Sequence, residues 1–174
     1  MFYIENERRG TVMLHDEWKL IYDMYKKPLY LYALSLTGNM QDAEDLVQEA
    51  FVKAYLSYEN TGSIKYWLVT VLRNEFYNLQ RKRKKEILDD GNIISQETVP
   101  EDMLSELIEK EERRQLLYEI QKLPIQMKEV LIESVYFQLK DDEISKLHSI
   151  TCENVRKIRS RAKQRLIEKM KGKM

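Results

Sequence analysis

The stretch DAEDLVQEAFVKAY, residues 42–55, carries the clearest secondary-structure signal in the sequence. Its apolar residues recur at the spacing of one helix face, which predicts an amphipathic α-helix with an unbroken buried stripe. The stripe consists of Ala43, Leu46, Val47, Ala50, Phe51, Ala54 and Tyr55. The opposite side carries Asp42, Asp45, Gln48 and Glu49. Because no His or Cys lies nearby to indicate a metal site, these carboxylates form either a solvated face or a docking surface for a basic partner.

Helical spacing also dominates the sequence upstream of this stretch. Between His15 and Thr37, apolar residues follow one helix face, and Pro28 is expected to bend or divide the helix. Thr37-Gly38-Asn39 predicts a helix end followed by an N-cap. Ser63 is a plausible N-cap for the helix that follows residue 55.

Composition supports an all-α protein. The 174 residues include only 5 Gly and 3 Pro, which is unfavourable for turn-rich β architectures. The single Cys152 excludes an internal disulfide framework and fits a reducing compartment. The N-terminal residues MFYIENERRG have charges where a signal peptide needs apolar residues, and no apolar run approaches a membrane span. We therefore expect a cytoplasmic protein.

The formal net charge of +0 conceals a strong charge pattern. Residues 73–85 hold six cations against one acid, and residues 152–174 hold nine cations against two acids. Between them, residues 86–112 hold ten acids and one lysine. Two basic segments separated by an acidic connector predict two contacts with a polyanion. We expect two small helical domains, 1–85 and 106–174, joined by a flexible acidic linker over 86–105.

The first basic segment ends the stretch SIKYWLVTVLRNEFYNLQRKRKK, residues 63–85. On a helical wheel its core face holds Leu68, Leu72, Phe76 and Leu79. Its opposite face holds Tyr66, Thr70, Arg73, Asn74, Tyr77 and Arg81. Rings, amides and guanidiniums are the groups that stack on bases and contact phosphates. An ordinary amphipathic helix with tyrosines at a domain edge remains the alternative, although the cations of 81–85 favour nucleic acid.

The second basic segment follows a short helix predicted over 141–147 and a turn over 148–151, with Thr151 as the next N-cap. The helix after it directs Val155, Ile158, Ala162 and Leu166 inward. Facing away are Glu153, Lys157, Ser160, Arg161 and Gln164, flanked by Arg156 and Lys163. This order predicts a helix-turn-helix whose second helix enters the major groove. A purely structural hairpin is the alternative.

Two other classes of protein are alternatives to this interpretation. A stand-alone dimeric helix-turn-helix regulator would explain the end of the chain but not the helices over 42–55 and 63–85. An enzyme is disfavoured because the sequence has no phosphate loop, nucleophile elbow or metal-ligand spacing. We expect no catalytic residue, metal, cofactor or small-molecule substrate, with His15 at the surface, His148 in a turn and Cys152 at a helix start.

Together these segments resemble a sigma factor of the extracytoplasmic-function (ECF) group of the sigma-70 family. The resemblance is carried by LYLYALSLTGNMQDAEDLVQEAFVKAY (29–55), YWLVTVLRNEF (66–76) and LPIQMKEVLIESVYFQLKDDEISKLHSITCENVRKIRSRAKQRL (123–166). It implies that the first domain docks on core RNA polymerase, recognises the −10 promoter element and helps to melt it. The second domain would bind the −35 element and pack on the polymerase flap, and the acidic linker would thread the polymerase channel.

The resemblance also implies roles for individual residues. Core polymerase docking would fall to Asp42, Asp45, Leu46, Gln48 and Glu49. Contacts with −10 DNA would come from Tyr58, Asn60, Thr61, Ser63, Tyr66, Trp67, Thr70, Arg73, Asn74, Tyr77, Arg81 and Lys84. Contacts with −35 DNA would come from Glu153, Asn154, Arg156, Lys157, Ser160, Arg161 and Lys163. The family alone implies an anti-sigma partner, which can be membrane-anchored, and a role in a stress response.

The sequence departs from the family pattern at three places. Ser149 stands in the turn where Gly is common, and Ile158 stands where the recognition helix often carries Arg. The loop over 58–63, which in the family captures a flipped base, has its own sequence here. These differences affect the geometry of the turn and the choice of bases.

Overall fold

The structure is a computed structural model, and it describes residues 15–59, 62–91 and 97–173. The first three helices are α1 (His15–Thr37), α2 (Met40–Ser57) and α3 (Ile64–Asp90). They pack on one another around a core that includes Leu29, Ala33, Ala50, Leu68, Leu72 and Phe76. α1 continues through Pro28 as a single element, so Pro28 does not divide it.

The predicted helix boundaries in this bundle are confirmed. Gly38 adopts φ +62 and donates its N–H to the Leu34 carbonyl at 2.9 Å, which closes the end of α1. The side chain of Asn39 then accepts the Asp42 N–H at 3.0 Å and caps α2. Ser63 caps α3 in the same way, accepting the Tyr66 N–H at 3.2 Å.

The buried stripe of α2 is confirmed except at its last member. Ala43 through Ala54 of the predicted stripe are buried, whereas Tyr55 is 56% exposed. The Tyr55 ring packs on Trp18 of α1 with 5.6 Å between centroids. The stripe prediction was therefore wrong at Tyr55, because α1 ends its cover of α2 near this turn and leaves one ring face open.

Part of the predicted linker is packed. α3 extends to Asp90, so the predicted boundary after residue 85 falls inside a helix. Val99 is buried and exchanges two hydrogen bonds with the Gln121 side chain, at 2.9 and 3.1 Å. A Cβ added at Gly38 would lie 1.9 Å from the Glu97 carbonyl oxygen, which shows how closely this segment follows the first bundle. A 3₁₀ turn over Met103–Glu106 follows.

The second bundle consists of α4 (Glu111–Gln121), α5 (Ile125–Leu131), α6 (Asp141–His148) and α7 (Cys152–Lys171). α5 continues into a π-helical segment, Ile132–Tyr136. The predicted helix-turn-helix is formed by α6 and α7, and the Thr151 side chain caps α7 by accepting the Asn154 N–H at 3.1 Å. The turn places Ser149 at φ +54, a left-handed conformation that favours glycine. Within the described residues no helix is both long enough and apolar enough to cross a membrane.

The two bundles share one continuous apolar core. Tyr32 of α1 is fully buried and packs on Phe137, with 5.7 Å between ring centroids. α5 also lies against α1, which sets its acidic residues opposite the middle of α3. The arrangement of the bundles therefore decides which part of α3 is open to a ligand.

Candidate nucleic-acid interface

The outer face of α2 is acidic and open. Asp45, Gln48 and Glu49 are exposed, and their only described contacts are local, such as a 3.0 Å hydrogen bond from Gln41 to Asp45. Asp42 differs, because both of its oxygens accept hydrogen bonds from Arg83 of α3 at 2.6 and 2.8 Å. These bonds raise the pKa of the Arg83 guanidinium and fix α3 to α2.

A shallow groove of about 350 Å³ runs between α2 and α3. Leu46 and Leu79 line it together with carboxylates, so the buried Leu46 is part of its wall. Val52 and Leu56 are 53% and 63% exposed, and helical spacing places them beyond Asp45 and Glu49 on the same face. Sequence reasoning missed these two, although their i+7 spacing from the acidic residues was visible. The face can bind a partner helix that is basic and partly apolar.

The loop before α3 presents aromatic groups. The Tyr58 hydroxyl donates to the Gly62 carbonyl at 2.7 Å, and the Tyr58 ring lies edge-on to Trp67 with 6.1 Å between centroids. Asn60 and Thr61 lie outside the described residues. Ser63 has its side chain committed to the N-cap. Tyr58 and Trp67 are thus held at the mouth of the loop, where a base could stack.

The outer face of α3 is not uniformly exposed. Tyr66, Trp67 and Thr70 are half-buried at its start, and the Thr70 hydroxyl donates back to the Tyr66 carbonyl at 2.7 Å. Further along, Asn74, Arg81 and Lys84 are exposed. The cavity on this surface measures about 590 Å³ and is lined by Arg73, Asn74, Glu75, Tyr77, Asn78 and Arg81.

Arg73 and Tyr77 are engaged by the second bundle. Glu129 of α5 accepts a hydrogen bond from Arg73 Nε at 3.2 Å and one from the Tyr77 hydroxyl at 3.0 Å. Arg73 Nη1 also donates to the Leu147 carbonyl at 3.0 Å. Burial, with Glu129 adding to it, raises the pKa of Tyr77 to about 12. These two side chains lie opposite the core face of α3, as predicted, but their contacts with the second bundle leave them half-buried.

A second carboxylate, that of Glu133, completes this contact. It accepts a hydrogen bond from the Tyr32 hydroxyl at 2.7 Å and contacts His148 Nε2 at 2.6 Å. Arg73 Nη2 lies 3.4 Å from His148 Nδ1. We call Arg73, Tyr77, Glu129, Glu133 and His148 the interdomain cluster. The two glutamates and the His148 side chain are at most 1% exposed.

Lys128 stabilises the same interface from the other side of α5. Its buried ammonium donates to the Ser35 carbonyl in the last turn of α1 and to the Gln121 carbonyl at the end of α4, both at 2.9 Å. One cation thus bonds carbonyls at the C-terminal ends of two helices, where its positive charge interacts favourably with the negative end of each helix dipole. Burial lowers the pKa of Lys128 to about 8. Sequence reasoning missed Lys128, Glu129 and Glu133, although charges inside the apolar run KEVLIESV were a signal.

α7 presents its predicted polar face to solvent. Glu153, Asn154, Arg156, Lys157, Ser160, Arg161 and Lys163 are all exposed. Val155, Ala162 and Leu166 are buried, and Ile158 packs against the core, which confirms the predicted inward face. Arg156 and Arg159 both bond Asp141 at the start of α6, at 3.0 and 2.6 Å, and this lowers the pKa of Asp141. These bonds tie the two helices of the turn together, and Lys157 on the exposed face bonds Glu153 one turn earlier at 2.7 Å.

Among known proteins, the chain matches two family models, one in each bundle. The family model for sigma-70 region 2 matches residues 21–86, and the model for sigma-70 region 4 matches residues 113–166. The ECF RNA polymerase sigma factor SigM of Bacillus subtilis is 33% identical over 149 residues, covering 84% of this chain and 90% of SigM. RNA polymerase sigma factor YlaC of the same organism is 29% identical, covering 89% of this chain and 92% of YlaC.

Two solved structures share the fold. The sigma factor RpoE from Bartonella quintana, crystallised with the anti-sigma factor NepR, matches with a TM-score of 0.69 and 26% identity, covering 90% of this chain and 98% of RpoE. CnrH, in complex with the cytosolic domain of CnrY, matches with a TM-score of 0.64 over 92% of each chain. At 15% identity the CnrH match bears on the fold alone. The matching models, relatives and structures do not favour a stand-alone dimeric regulator.

Proposed function

This chain belongs to the ECF RNA polymerase sigma factors of the sigma-70 family, and from that membership we propose which of its surfaces makes each contact during promoter recognition. It is an alternative sigma factor, which directs RNA polymerase to promoters. We propose that residues 1–85 dock on the polymerase and read the −10 element, that 86–105 connect the domains, and that 106–174 read the −35 element. We propose that it acts in the cytoplasm by binding polymerase and DNA, without enzymatic activity.

The core polymerase contact is assigned to the acidic face of α2. Asp45, Gln48 and Glu49 are exposed and carry no long-range partner in the described residues. The apolar Val52 and Leu56 extend the same face and can anchor a partner helix once the charges have oriented it. Asp42 acts indirectly, because its carboxylate is used to brace α3 through Arg83.

The −10 contact is assigned to α3 and to the loop before it. Tyr58 and Trp67 offer ring faces for an unstacked base, and Asn74, Arg81 and Lys84 offer amide and cationic groups to the strand. Extruding a base from the duplex costs a few kcal/mol, which stacking on such rings offsets. Melting would therefore depend on the rings, whereas affinity for the strand would depend on the cations.

The −35 contact is assigned to α7, and the exposure of its cationic face is the observation that carries the proposal. Lys157 and Arg161 project from the outward side, one turn apart, with α7 tied to α6 through Asp141. Phosphate contacts of this kind are weakened by salt, so α7 alone would bind DNA weakly at physiological ionic strength. Attachment to polymerase raises the effective concentration of each DNA contact.

We also propose an anti-sigma protein as a regulatory partner. The sigma factor RpoE, which is 26% identical to this chain, was crystallised with the anti-sigma factor NepR. The open acidic face of α2 is one surface that such a partner could cover. No cofactor or small-molecule substrate enters this proposal.

The test is run-off transcription with core polymerase on a genomic promoter library, with and without this protein, beside a gel shift of the protein alone. We expect polymerase-dependent selection of promoters with two conserved elements and little shift by the free protein. Tight shifts without polymerase and no new transcripts would refute the proposal and support a conventional regulator.

Variants assign the two contacts separately. Lys157→Ala and Arg161→Ala should weaken initiation at promoters that need a −35 element, while Lys169→Ala, an exposed lysine beyond the proposed face, should not. Asp45→Lys should lower affinity for core polymerase, with Glu44→Lys on a neighbouring face as the matched control. Unchanged promoter use by both α7 variants would reject the −35 assignment, and normal capture of core by Asp45→Lys would reject the docking assignment.

A further inference from the structure

The first residue of α6, Asp141, contacts two arginines of α7. Its Oδ1 accepts a hydrogen bond from Arg159 Nη1 at 2.6 Å, and its Oδ2 accepts one from Arg156 Nε at 3.0 Å. The Arg159 side chain is 26% exposed, whereas that of Arg156 is 60% exposed. Arg159 therefore secures the carboxylate between the two helices, and the more exposed Arg156 is held by the same carboxylate.

The bond to Asp141 uses one nitrogen of Arg156 and leaves two for a ligand. Within the described residues, Nη1 and Nη2 of Arg156 have no hydrogen-bond partner. Because a guanidinium is planar and rigid, a bond at Nε also fixes the direction of these two groups. Lys157 differs, since it pairs with Glu153 of its own helix at 2.7 Å and both side chains are more than half exposed. Such an exposed pair holds a side chain only weakly.

We propose that Asp141 is a positioning residue for −35 recognition, which presents Nη1 and Nη2 of Arg156 to a guanine in the major groove. The inference rests on the proposed function of α7 and names one base contact within it. Arg156 lies in the second turn of α7, and the N-terminal residues of a recognition helix are those that contact base edges. Two parallel N–H donors match the O6 and N7 acceptors of guanine, which is the commonest specific contact in the major groove.

The carboxylate beside Arg156 favours a base over a phosphate as the ligand. The hydrogen bonds from Arg159 and Arg156 lower the pKa of Asp141, so this group stays ionised at neutral pH. A phosphate on the same guanidinium would be repelled by that negative charge, whereas O6 and N7 of guanine are neutral acceptors. Arg156 therefore suits the reading of sequence, and cations such as Lys157 suit the phosphate backbone.

The test uses core polymerase reconstituted with this protein and a promoter selected in the transcription experiment. Each base pair of the −35 element is changed in turn, and initiation is measured for the parent and its variants. Asp141→Asn removes the charge at nearly constant size, and Arg156→Lys keeps the charge but lacks the paired donors. Asp142→Asn, at the exposed acid that follows in α6, is the matched control.

A bidentate contact disfavours the wrong base by about five- to a hundredfold. We therefore expect the parent to prefer guanine at one −35 position by about tenfold or more. Asp141→Asn and Arg156→Lys should lose most of that preference at that position alone, and Asp142→Asn should keep it. Replacing this guanine by 7-deazaguanine, which has no N7 acceptor, should lower initiation by the parent but not by Arg156→Lys.

The double variant separates positioning from an independent effect. If Asp141 acts through Arg156, then Asp141→Asn should add nothing to the loss caused by Arg156→Lys at the same position. A double variant whose loss is the product of the two single losses would overturn the inference. An unchanged base profile in Asp141→Asn would also overturn it, as would a loss by the same factor at every −35 position, which is the behaviour of a phosphate contact.

Two controls keep these outcomes distinct. If circular dichroism shows that Asp141→Asn does not fold, Asp141→Glu takes its place, because it keeps the charge and moves the acceptor by one methylene group. A base profile identical to that of the parent in Asp141→Glu would then refute the positioning role. Failure of the proposed function would look different, because the parent itself would give no promoter-specific transcripts with core polymerase.

Discussion

The buried Lys128, which lies at the interdomain contact, should make the free energy of unfolding depend on pH. Its ammonium is buried between the ends of α1 and α4, and its pKa is lowered from 10.5 to about 8. Burial therefore disfavours the charged form in the folded protein, while the unfolded chain keeps the ordinary value. Between these two values the unfolded state binds more protons, so the free energy of unfolding rises with pH.

The size of the effect follows from the two pKa values. A shift of one unit corresponds to about 1.4 kcal/mol, so the gain from pH 7 to pH 10 is about 2 kcal/mol. It begins near pH 8 and would be complete above pH 10.5. Burial raises the pKa of Tyr32 well above 10, which removes stability at higher pH, so the measurement should stop at pH 10.

The assay is urea unfolding followed by circular dichroism at several pH values, for the wild type and for Lys128→Met. The variant keeps the buried chain but has no titrating group, so the difference between the two free energies should change by about 2 kcal/mol in favour of the wild type. Lys122→Met, at an exposed lysine of the same bundle, is the control. A difference that stays constant from pH 7 to pH 10 would refute the buried, charge-destabilised position of Lys128.

Three further substitutions test single features of the fold, each by the free energy of unfolding in urea. Ser149→Gly should stabilise the protein by about 0.5–1 kcal/mol, because glycine adopts the left-handed φ of +54 without strain; an unchanged or lower stability would contradict this turn geometry. Gly38→Ala should destabilise it by about 2 kcal/mol or more, since its φ is +62 and the new Cβ would meet the Glu97 carbonyl. If the loss were no larger than that for a glycine substituted at an exposed helix end, the segment containing Glu97 would not be packed against Gly38. Tyr32→Phe should cost about 1–3 kcal/mol by removing a hydrogen bond from the buried Glu133, and a neutral result would place Glu133 in water.

Local features of this fold were predictable from the sequence because their causes are local. The caps at Asn39, Ser63 and Thr151 each depend on a side chain bonding an N–H three residues later, and all three are present. The buried faces of α2, α3 and α7 follow from helical spacing in the same way, except at the exposed Tyr55 and at Leu79, which is half-buried and lines the groove beside α2. The candidate DNA surfaces were predictable to the same extent, as faces of single helices.

The interdomain cluster was not predictable, because its partners are far apart in sequence. Arg73 and Glu129 are 56 positions apart, and Tyr77 and Glu129 are 52 positions apart. Helical spacing shows that Glu129 of α5 and Glu133 of its π-helical continuation share one face, but it does not show which helix they meet. Arg73 was correctly placed opposite the core face of α3, and only the packing of the bundles reveals that a second domain covers it.

The charged groups of this contact determine how the two domains are oriented rather than how strongly they are held together. A buried ion pair contributes little net stability compared with apolar residues of the same shape, because desolvation offsets most of the attraction between the charges. Breaking one member of the contact is nevertheless costly, because it leaves a buried charged partner unpaired. The two bundles are held together by the apolar core that they share, in which Tyr32 packs on Phe137. Arg73, Glu129 and Lys128 add little to the strength of that contact but fix how the bundles meet, since any other orientation would leave these groups without their hydrogen bonds.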